Sequence, residues 1–369
     1  MTSRTGSAPG RLDLLGGVAD YSGARVLEVA THLTTRVEAE DDDALDVGPA
    51  RLTADEISEL AALPYPEMRT ALAAFPRWTH YLIGVALVLV RHRVIEPPCT
   101  RLTVTSDVPR SVGVSSSAAL EVATARALGA DAVEPLRLAA LCQEAENQVV
   151  GAPCGIMDQV VVTMGRPGGV LPILCRPASV DPLVELPDDF EVVGVPTGAE
   201  HDVSGVPYGR ARAAAFMGKR IVEDTTSRSW AWVSELPAGA VVDLPDALDG
   251  ATFLDRWGTT DDPLTTIDRD ETYPVRAATT FGVEEHRRSS ALLDALSRRA
   301  VDAVGSIMAA SHAGYDAMGL GHEAATAAAD RVLTRRGVHG VRSSGGGSGG
   351  TVVVVCERGT LDDVEALVR

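Results

Sequence analysis

Three serines, Ser115, Ser116 and Ser117, stand just before an Ala/Leu-rich run that continues to Leu128. Ahead of them Leu102 to Ser106 alternates apolar and polar residues, as a strand does. Pro109 ends that strand, because proline cannot donate to a sheet ladder. Small hydroxylated residues before an apolar run mark a helix N-terminus. The loop between them carries Ser111, Gly113 and Val114. A strand, a small-residue loop and a helix start leave backbone N–H groups pointing outward, and the helix dipole adds positive potential, so the place suits a phosphate. The hydroxyls also suit a hard metal ion. The same residues equally describe a plain serine-capped helix, and this stretch alone leaves both readings open.

Three other stretches carry groups that chemistry could use. Ala8 to Gly23 crowds glycines around Arg11, Asp13 and Asp20. Glycine lets backbones approach a ligand, so this segment reads either as a ligand-facing loop or as an ordinary turn with solvated charges. Gly151-Ala-Pro153-Cys154-Gly155 breaks a helical pattern, and Asp158 follows just before the apolar run Val160 to Val162. A carboxylate there is a helix cap or a functional acid. Gly337 to Gly350 is rich in Gly and Ser but leads straight into the apolar run Thr351 to Cys356, with no second domain after it to link. It therefore reads as a tight ligand-facing loop rather than a linker.

The elements that must position these groups follow from periodicity and breakers. Val26 to Val37 reads as one or two strands, and Glu38 to Leu52 as an acidic loop or edge hairpin. Leu60 to Leu63 and Met68 to Phe75 read as short helices between prolines, and Trp78 to Leu89 as a longer one with an aromatic start. Leu138 to Val149 reads as an amphipathic helix carrying Gln143, Glu146 and Asn147. Val170 to Cys175 and Val192 to Pro196 read as strands, and Pro177 to Pro187 between them as the interdomain boundary. Tyr208 to Ile221, Glu284 to Met308 and Glu323 to Arg336 read as helices, Asp243 to Asp270 as irregular, and a short helix is expected at the C-terminus.

At 369 residues, with 45% hydrophobic and 23% charged residues, the chain reads as ordered and two-domained. A net charge of −18 argues against general nucleic-acid binding. An anionic ligand must then be held by local donors and a metal. The five cysteines are scattered without zinc spacing, which points to a reduced, cytoplasmic protein. No signal-peptide pattern opens the chain, and its most apolar run, Tyr81 to Val90, is too short to span a bilayer, so no membrane partner is expected.

Taken together, these stretches resemble the motifs of the GHMP small-molecule kinases, and in particular the galactokinase branch. Ala8 to Gly23 looks like the sugar-binding signature, Pro109 to Leu120 like the phosphate loop, and Gly337 to Gly350 like the third family motif. Cys142-Gln-Glu-Ala-Glu146-Asn147, with Pro153-Cys-Gly-Ile-Met-Asp158-Gln159, matches the galactokinase pattern around the catalytic aspartate. The sequence departs from galactokinases at Gly17-Val18, where they carry a Glu-His pair whose glutamate helps hold the sugar. It departs again at Glu200, where they place an arginine, and at Ser111, where glycine is usual. Gly16 to Gly23, Tyr208 to Gly218 and Tyr273 to Ala277 are instead similar to plant-type L-arabinokinases.

The resemblance implies an α+β fold of two domains, residues 1–180 ribosomal-protein-S5-like and residues 181–369 ferredoxin-like, with the active site in the cleft between them. It implies an ATP- and Mg²⁺-dependent kinase acting on the anomeric hydroxyl of a sugar, with Asp158 as base or orienting carboxylate and Arg11 beside it. It assigns Mg²⁺ to Ser117 and Glu146. The sugar falls to Asp20, Gly155, Tyr208 and the Gly17 turn. ATP falls to Trp78, to Ser111, Gly113, Val114, Ser115, Ser116 and Ser117, and to Gly346. L-Arabinose is the first substrate expected and galactose the second. The space at Gly17 also suggests a larger substituent, such as a uronic carboxylate or an amino sugar, met by Arg210 or Arg212.

The chemistry agrees with that assignment. Phosphoryl transfer asks for positioning and charge neutralisation. With no Gly-Lys-Ser/Thr string in the chain, backbone N–H groups must hold the nucleotide. A non-catalytic sugar- and nucleotide-binding regulator is the rival reading, opposed by the joint presence of Arg11, Ser117, Glu146 and Asp158. A Rossmann dehydrogenase fails for want of a Gly-x-Gly-x-x-Gly after a first strand. The oligomeric state, monomer or dimer, is left open.

Overall fold

The structure, a computed structural model, describes residues 3–199, 206–347, 349–362 and 364. The chain forms two compact units. The first takes residues 1–11, 30–110 and 115–165, and the second residues 12–29, 111–114 and 166–369. The main part of the second unit runs from 166, and the unit also includes two short segments from early in the chain.

In the first unit the strand Thr100–Ser106 runs antiparallel to the outer half of the long strand Arg25–Asp41, from Thr35 opposite Ser106 to Asp41 opposite Thr100. The acidic segment Glu38 to Leu52, expected as a loop or edge hairpin, starts as the end of the long strand, to Asp41, and then forms a hairpin in which Leu45–Asp46 pairs with Arg51–Leu52. Arg51 holds Asp42, Asp43 and Asp46 there. Helices then pack together: Thr79–Arg91, Ser116–Ala127, Pro135–Glu144 and Met157–Met164. Thr79–Arg91 is apolar almost all round and buries every residue from Leu82 to Leu89, as a helix enclosed by others must.

One expectation is corrected in this unit. The N-terminal glycine-rich segment is not a loop: Ser3–Leu15 is a 13-residue strand, and the turn Gly17–Ser22 starts only after it. Gly6 lets the strand lie against the Ser116–Ala127 helix. A Cβ there would fall 2.0 Å from the carbonyl oxygen of Ala123. Packing overrides the usual meaning of glycine as a breaker.

In the second unit the start of the same long strand, Arg25 to Val29, pairs with Gly169–Cys175. The proline-rich stretch read as a boundary supplies two short strands, Ala178–Val180 and Val184–Glu185, to that neighbour. A separate antiparallel sheet has Thr351–Glu357 at its centre, flanked by Phe190–Pro196 and Val338–Ser343. The expected continuous helix from Glu284 to Met308 is two helices, Val275–Ser297 and Val301–Met318. Between them Arg299 adopts φ +55°, a left-handed turn that no glycine or proline announces. Asp243 to Asp270, expected to be irregular, holds the short strand Leu248–Asp249, paired with Thr272–Tyr273, and the helix Gly250–Trp257. The expected C-terminal helix and Glu200 lie largely or wholly outside the described residues. None of the five cysteines forms a disulfide. Among the described residues no helix is long and apolar enough to cross a membrane.

Two half-buried histidines of the second unit act as acceptors. His286 Nδ1 accepts the Arg25 N–H at 3.0 Å, and His312 Nδ1 accepts the Ser343 N–H at 3.2 Å. Burial holds both below the usual 6.5, helped by Arg25 beside His286 and by Arg342 near His312. As pH falls below 6.5 the unfolded chain protonates these histidines before the folded one does, so stability is intact above that pH and is lost below it. We expect the contribution of these two histidines to the unfolding free energy to drop as pH falls from 7 to 5, against the opposite trend of the raised Glu146 carboxyl. Urea titrations at pH 7.5, 6.5 and 5.5 check this. His286→Gln and His312→Gln should each flatten the dependence, and an undiminished slope in both variants would rule the histidines out.

Candidate active site

In the first unit four sequence motifs converge. Asp158 sits in the first turn of Met157–Met164 but does not cap it. The cap position belongs to Ile156, and Asp158 Oδ1 instead takes the Arg11 Nε–H at 2.8 Å. Arg11 reaches it from the strand Ser3–Leu15 and is 3% exposed, whereas Asp158 keeps 23% exposure, open to a substrate. Glycine at 155 lies buried in the break that precedes this helix. The π-helical turn Ala145–Val150 carries Glu146, and such turns are common at functional sites. Glu146 accepts hydrogen bonds from Ser117, from the Cys154 thiol at 3.4 Å and from Gln159 Nε2 at 2.6 Å.

Burial, and next the charge of Asp158, push the Glu146 carboxyl up to about 7 against the pull of those hydrogen bonds. Glu121, wholly buried one turn beyond Ser117, is pushed well above the usual carboxylate range by burial and by Glu146. Gln159 Nε2 also donates to Glu121 at 3.0 Å, so one amide bridges both acids. Sequence reasoning gave no role to Gln159 or Glu121, although Gln159 stands inside a quoted motif and Glu121 one residue past another.

The three serines do not cap their helix with side chains. Ser115 takes the N-cap position at φ +58° without a side-chain bond, and its buried hydroxyl has no partner; Ser117 turns to Glu146. The reading of a plain serine cap is therefore corrected, and the helix start keeps its N–H groups. Ser116 and Ser117 are half-buried there, and Trp78, at the N-cap of Thr79–Arg91, is 47% exposed.

In the second unit the signature turn, the residues 111–114 and the glycine-rich motif meet. Asp13 Oδ1 accepts the Gly17 N–H at 3.0 Å, and Asp13 Oδ2 accepts the Gly345 N–H at 3.1 Å. Arg342 pairs with Asp13 Oδ2 at 2.8 Å, both groups fully buried. Thr351 Oγ1 donates to the Val112 carbonyl at 2.8 Å, and Ser344 Oγ to the Gly113 carbonyl at 3.4 Å. Gly350 must be glycine: it holds φ +82°, and a Cβ would fall 2.6 Å from the Val112 oxygen. The expected loop Gly337 to Gly350 is thus a strand over its first half, Val338–Ser343, and packs tightly after it. Val114 is buried, Gly346 half-buried, and Ser111 adopts φ +59°, which explains why glycine suits that position.

Asp20 is buried in the turn, where its Oδ1 accepts the Tyr21 N–H at 2.6 Å. Tyr208 stands edge-on to the Tyr21 ring at 5.7 Å. Two expectations are corrected here. The space beside Gly17 is not empty, because the Tyr315 hydroxyl fills it. Arg212 is not available to a substrate carboxylate: its fully buried guanidinium grips Asp262 through two bonds of 2.8 Å. Arg210 is exposed and donates to the Thr272 carbonyl at 2.7 Å.

Residues 80–166 match the model of the GHMP kinases N terminal domain. A galactokinase of Chloroflexus aggregans is 30% identical over 370 residues, covering 99% of this chain and 86% of its own length. The chain belongs to the GHMP kinase family. Within it, this protein is a galactokinase-like sugar kinase and, as a kinase of this family, uses ATP. An L-arabinokinase of Arabidopsis thaliana is also 30% identical, over 436 residues and 94% of this chain; the chain spans 42% of that protein. The crystal structure of Lactococcus lactis galactokinase with galactose superposes with a TM-score of 0.79 at 19% identity, covering 98% of this chain and 87% of its own. Methanococcus jannaschii mevalonate kinase gives 0.58 at 14% identity over 99% and 96%. Both structures have the GHMP kinase fold expected from the sequence.

Proposed function

We propose that this sugar kinase transfers the γ-phosphoryl group of ATP to the anomeric hydroxyl of L-arabinose. Asp158 accepts or orients the hydroxyl proton, and Arg11, bonded to it at 2.8 Å, fixes the carboxylate and offsets phosphoryl charge. The nucleotide phosphates take the backbone N–H groups at the start of Ser116–Ala127 and of residues 111–114, Gly346 adds a backbone contact, and exposed Trp78 offers a face to the base. Asp20, Gly155, Tyr208 and the Gly17 turn hold the sugar.

The observation that carries the choice of sugar is Gly17. No side chain is present there, and none fits, since a Cβ would lie 1.7 Å from Tyr315 Oη. The exocyclic hydroxymethyl of galactose finds no side-chain partner at that position, and an unpaired polar group in a closed site costs roughly 1–3 kcal/mol. L-Arabinose keeps the ring hydroxyls and lacks that group. Competition of L-arabinose and D-galactose for limiting ATP, with products read by mass, tests this. We expect a ten- to hundredfold preference for L-arabinose, about what that penalty converts to. Preference for galactose, favoured by the near full-length galactokinase likeness, would overturn the assignment.

A divalent cation fits the first unit's donors. Ser117 hydroxyl and Glu146 carboxylate are hard oxygen ligands already in mutual contact, and the buried Ser115 hydroxyl beside them has no protein partner. When bound, Mg²⁺ would neutralise phosphate charge. Glu146→Gln should raise the Mg²⁺ concentration for half-maximal activity by tenfold or more, on the order of one lost charged ligand contact. A magnesium titration of the purified variant checks it, and an unchanged midpoint would reduce Glu146 to a structural acid.

A further inference from the structure

Tyr315 lies on the helix Val301–Met318, far along the chain from both loops that it touches. Its ring is fully buried, edge-on to Phe281 at 5.5 Å and under the Arg342 guanidinium at 5.2 Å. The hydroxyl accepts the Val18 N–H at 3.2 Å and donates to the Gly345 carbonyl at 2.6 Å. Asp13 makes a parallel connection, to the Gly17 and Gly345 N–H groups. Two side chains therefore each join the signature turn to the glycine-rich loop. Tyr315 also comes nearest in the volume beside Gly17, which sits at φ +51°: its Oη lies 1.7 Å from where a Cβ would be, with Asp13 Oδ2 next at 2.9 Å.

We propose that Tyr315 is a specificity-setting positioning residue: its phenol takes the place of a side chain at position 17 and fixes the signature turn against the glycine-rich loop. The proposal rests on the assignment of that turn to the sugar. Its physical content is a trade. The chain gives up a side chain that would contact the substrate directly and gains a phenol that locks the backbone of Gly17 and Val18 in one geometry. Residues 17 and 315 compete for one volume, so their effects cannot be independent.

The test measures kcat/KM for L-arabinose and for D-galactose, together with the melting temperature, in the wild type, Tyr315→Phe, Gly17→Ala and the double variant. Tyr315→Phe keeps the ring in the core and removes only the hydroxyl. We expect it to shift the ratio of the two kcat/KM values by about tenfold, the size of one lost buried hydrogen bond, whichever sugar the wild type prefers. Gly17→Ala forces the phenol aside, so it should shift the ratio in the same direction. Its additional effect in the Tyr315→Phe background should be clearly smaller. A merely structural tyrosine would lower the melting temperature and the folded fraction, which affects both sugars equally and leaves the ratio unmoved. An unmoved ratio, or strictly additive effects, overturns the proposal while leaving the proposed function standing. Should Tyr315→Phe not fold, the ratio in Gly17→Ala alone decides. A wild type that phosphorylates neither sugar overturns the proposed function, and this inference with it.

Discussion

Asp158→Asn should lower kcat by at least about 10²-fold, and by up to about 10⁴-fold if proton transfer to the carboxylate is needed throughout the transition state. The substitution is chosen for what it preserves. Asn keeps an oxygen where Asp158 Oδ1 now accepts the Arg11 Nε–H at 2.8 Å, so buried Arg11 retains a partner. The helix Met157–Met164 is capped at Ile156 and does not depend on the Asp158 side chain. What disappears is a negative charge and a proton acceptor on a group that remains 23% exposed. Fold and ATP affinity should therefore hold while turnover collapses. Steady-state kinetics with both substrates saturating, beside an equilibrium nucleotide titration, separates the two effects. Turnover within a few-fold of the wild type would remove Asp158 from the mechanism and revive the sugar-binding regulator.

The Asp158–Arg11 pair was legible in the sequence because each residue lies inside a motif of fixed spacing, although the motifs are 147 positions apart. Other features were legible for local reasons. Alternation and Pro109 mark the strand Thr100–Ser106, and the serines before an alanine run mark the helix from Ser116. Local signals failed where tertiary packing changed their meaning. Glycine usually weakens a strand, and Gly6 is a contact point inside one. Arg299 breaks a helix with a residue type that gives no warning. Tyr315 lies between the two helices read from the sequence, past Met308 and before Glu323, and gave no signal, since its partners Val18 and Gly345 are 297 and 30 positions away. Arg342 could have been noticed as a charge within a strand-like run ahead of the glycines, but its partner Asp13 is 329 positions distant. Buried polar contacts of this kind leave no periodicity, because each is a single residue answering another from elsewhere in the chain.

Arg342 therefore supplies the second large effect. Its Nη1 binds Asp13 Oδ2 at 2.8 Å and the Asp13 carbonyl at 3.0 Å, with neither side chain exposed. Removing one member of such a pair leaves the other as an uncompensated charge away from water, which costs about 3–5 kcal/mol. Arg342→Met should lose that much unfolding free energy in urea, because methionine fills the stem but cannot answer the carboxylate. Asp13 also accepts the Gly17 and Gly345 N–H groups, so the loss should spread to both loops and lower activity well below the melting transition. Adding Asp13→Asn to Arg342→Met removes the stranded charge and keeps an amide oxygen for one of those two N–H groups, the other then facing the amide NH2. The double variant should recover a large part of the stability, although neither single variant does. A loss under about 1 kcal/mol for Arg342→Met would mean that water reaches Asp13 readily. A double variant no better than Arg342→Met would mean that the lost hydrogen bonds, and not the stranded charge, set the penalty.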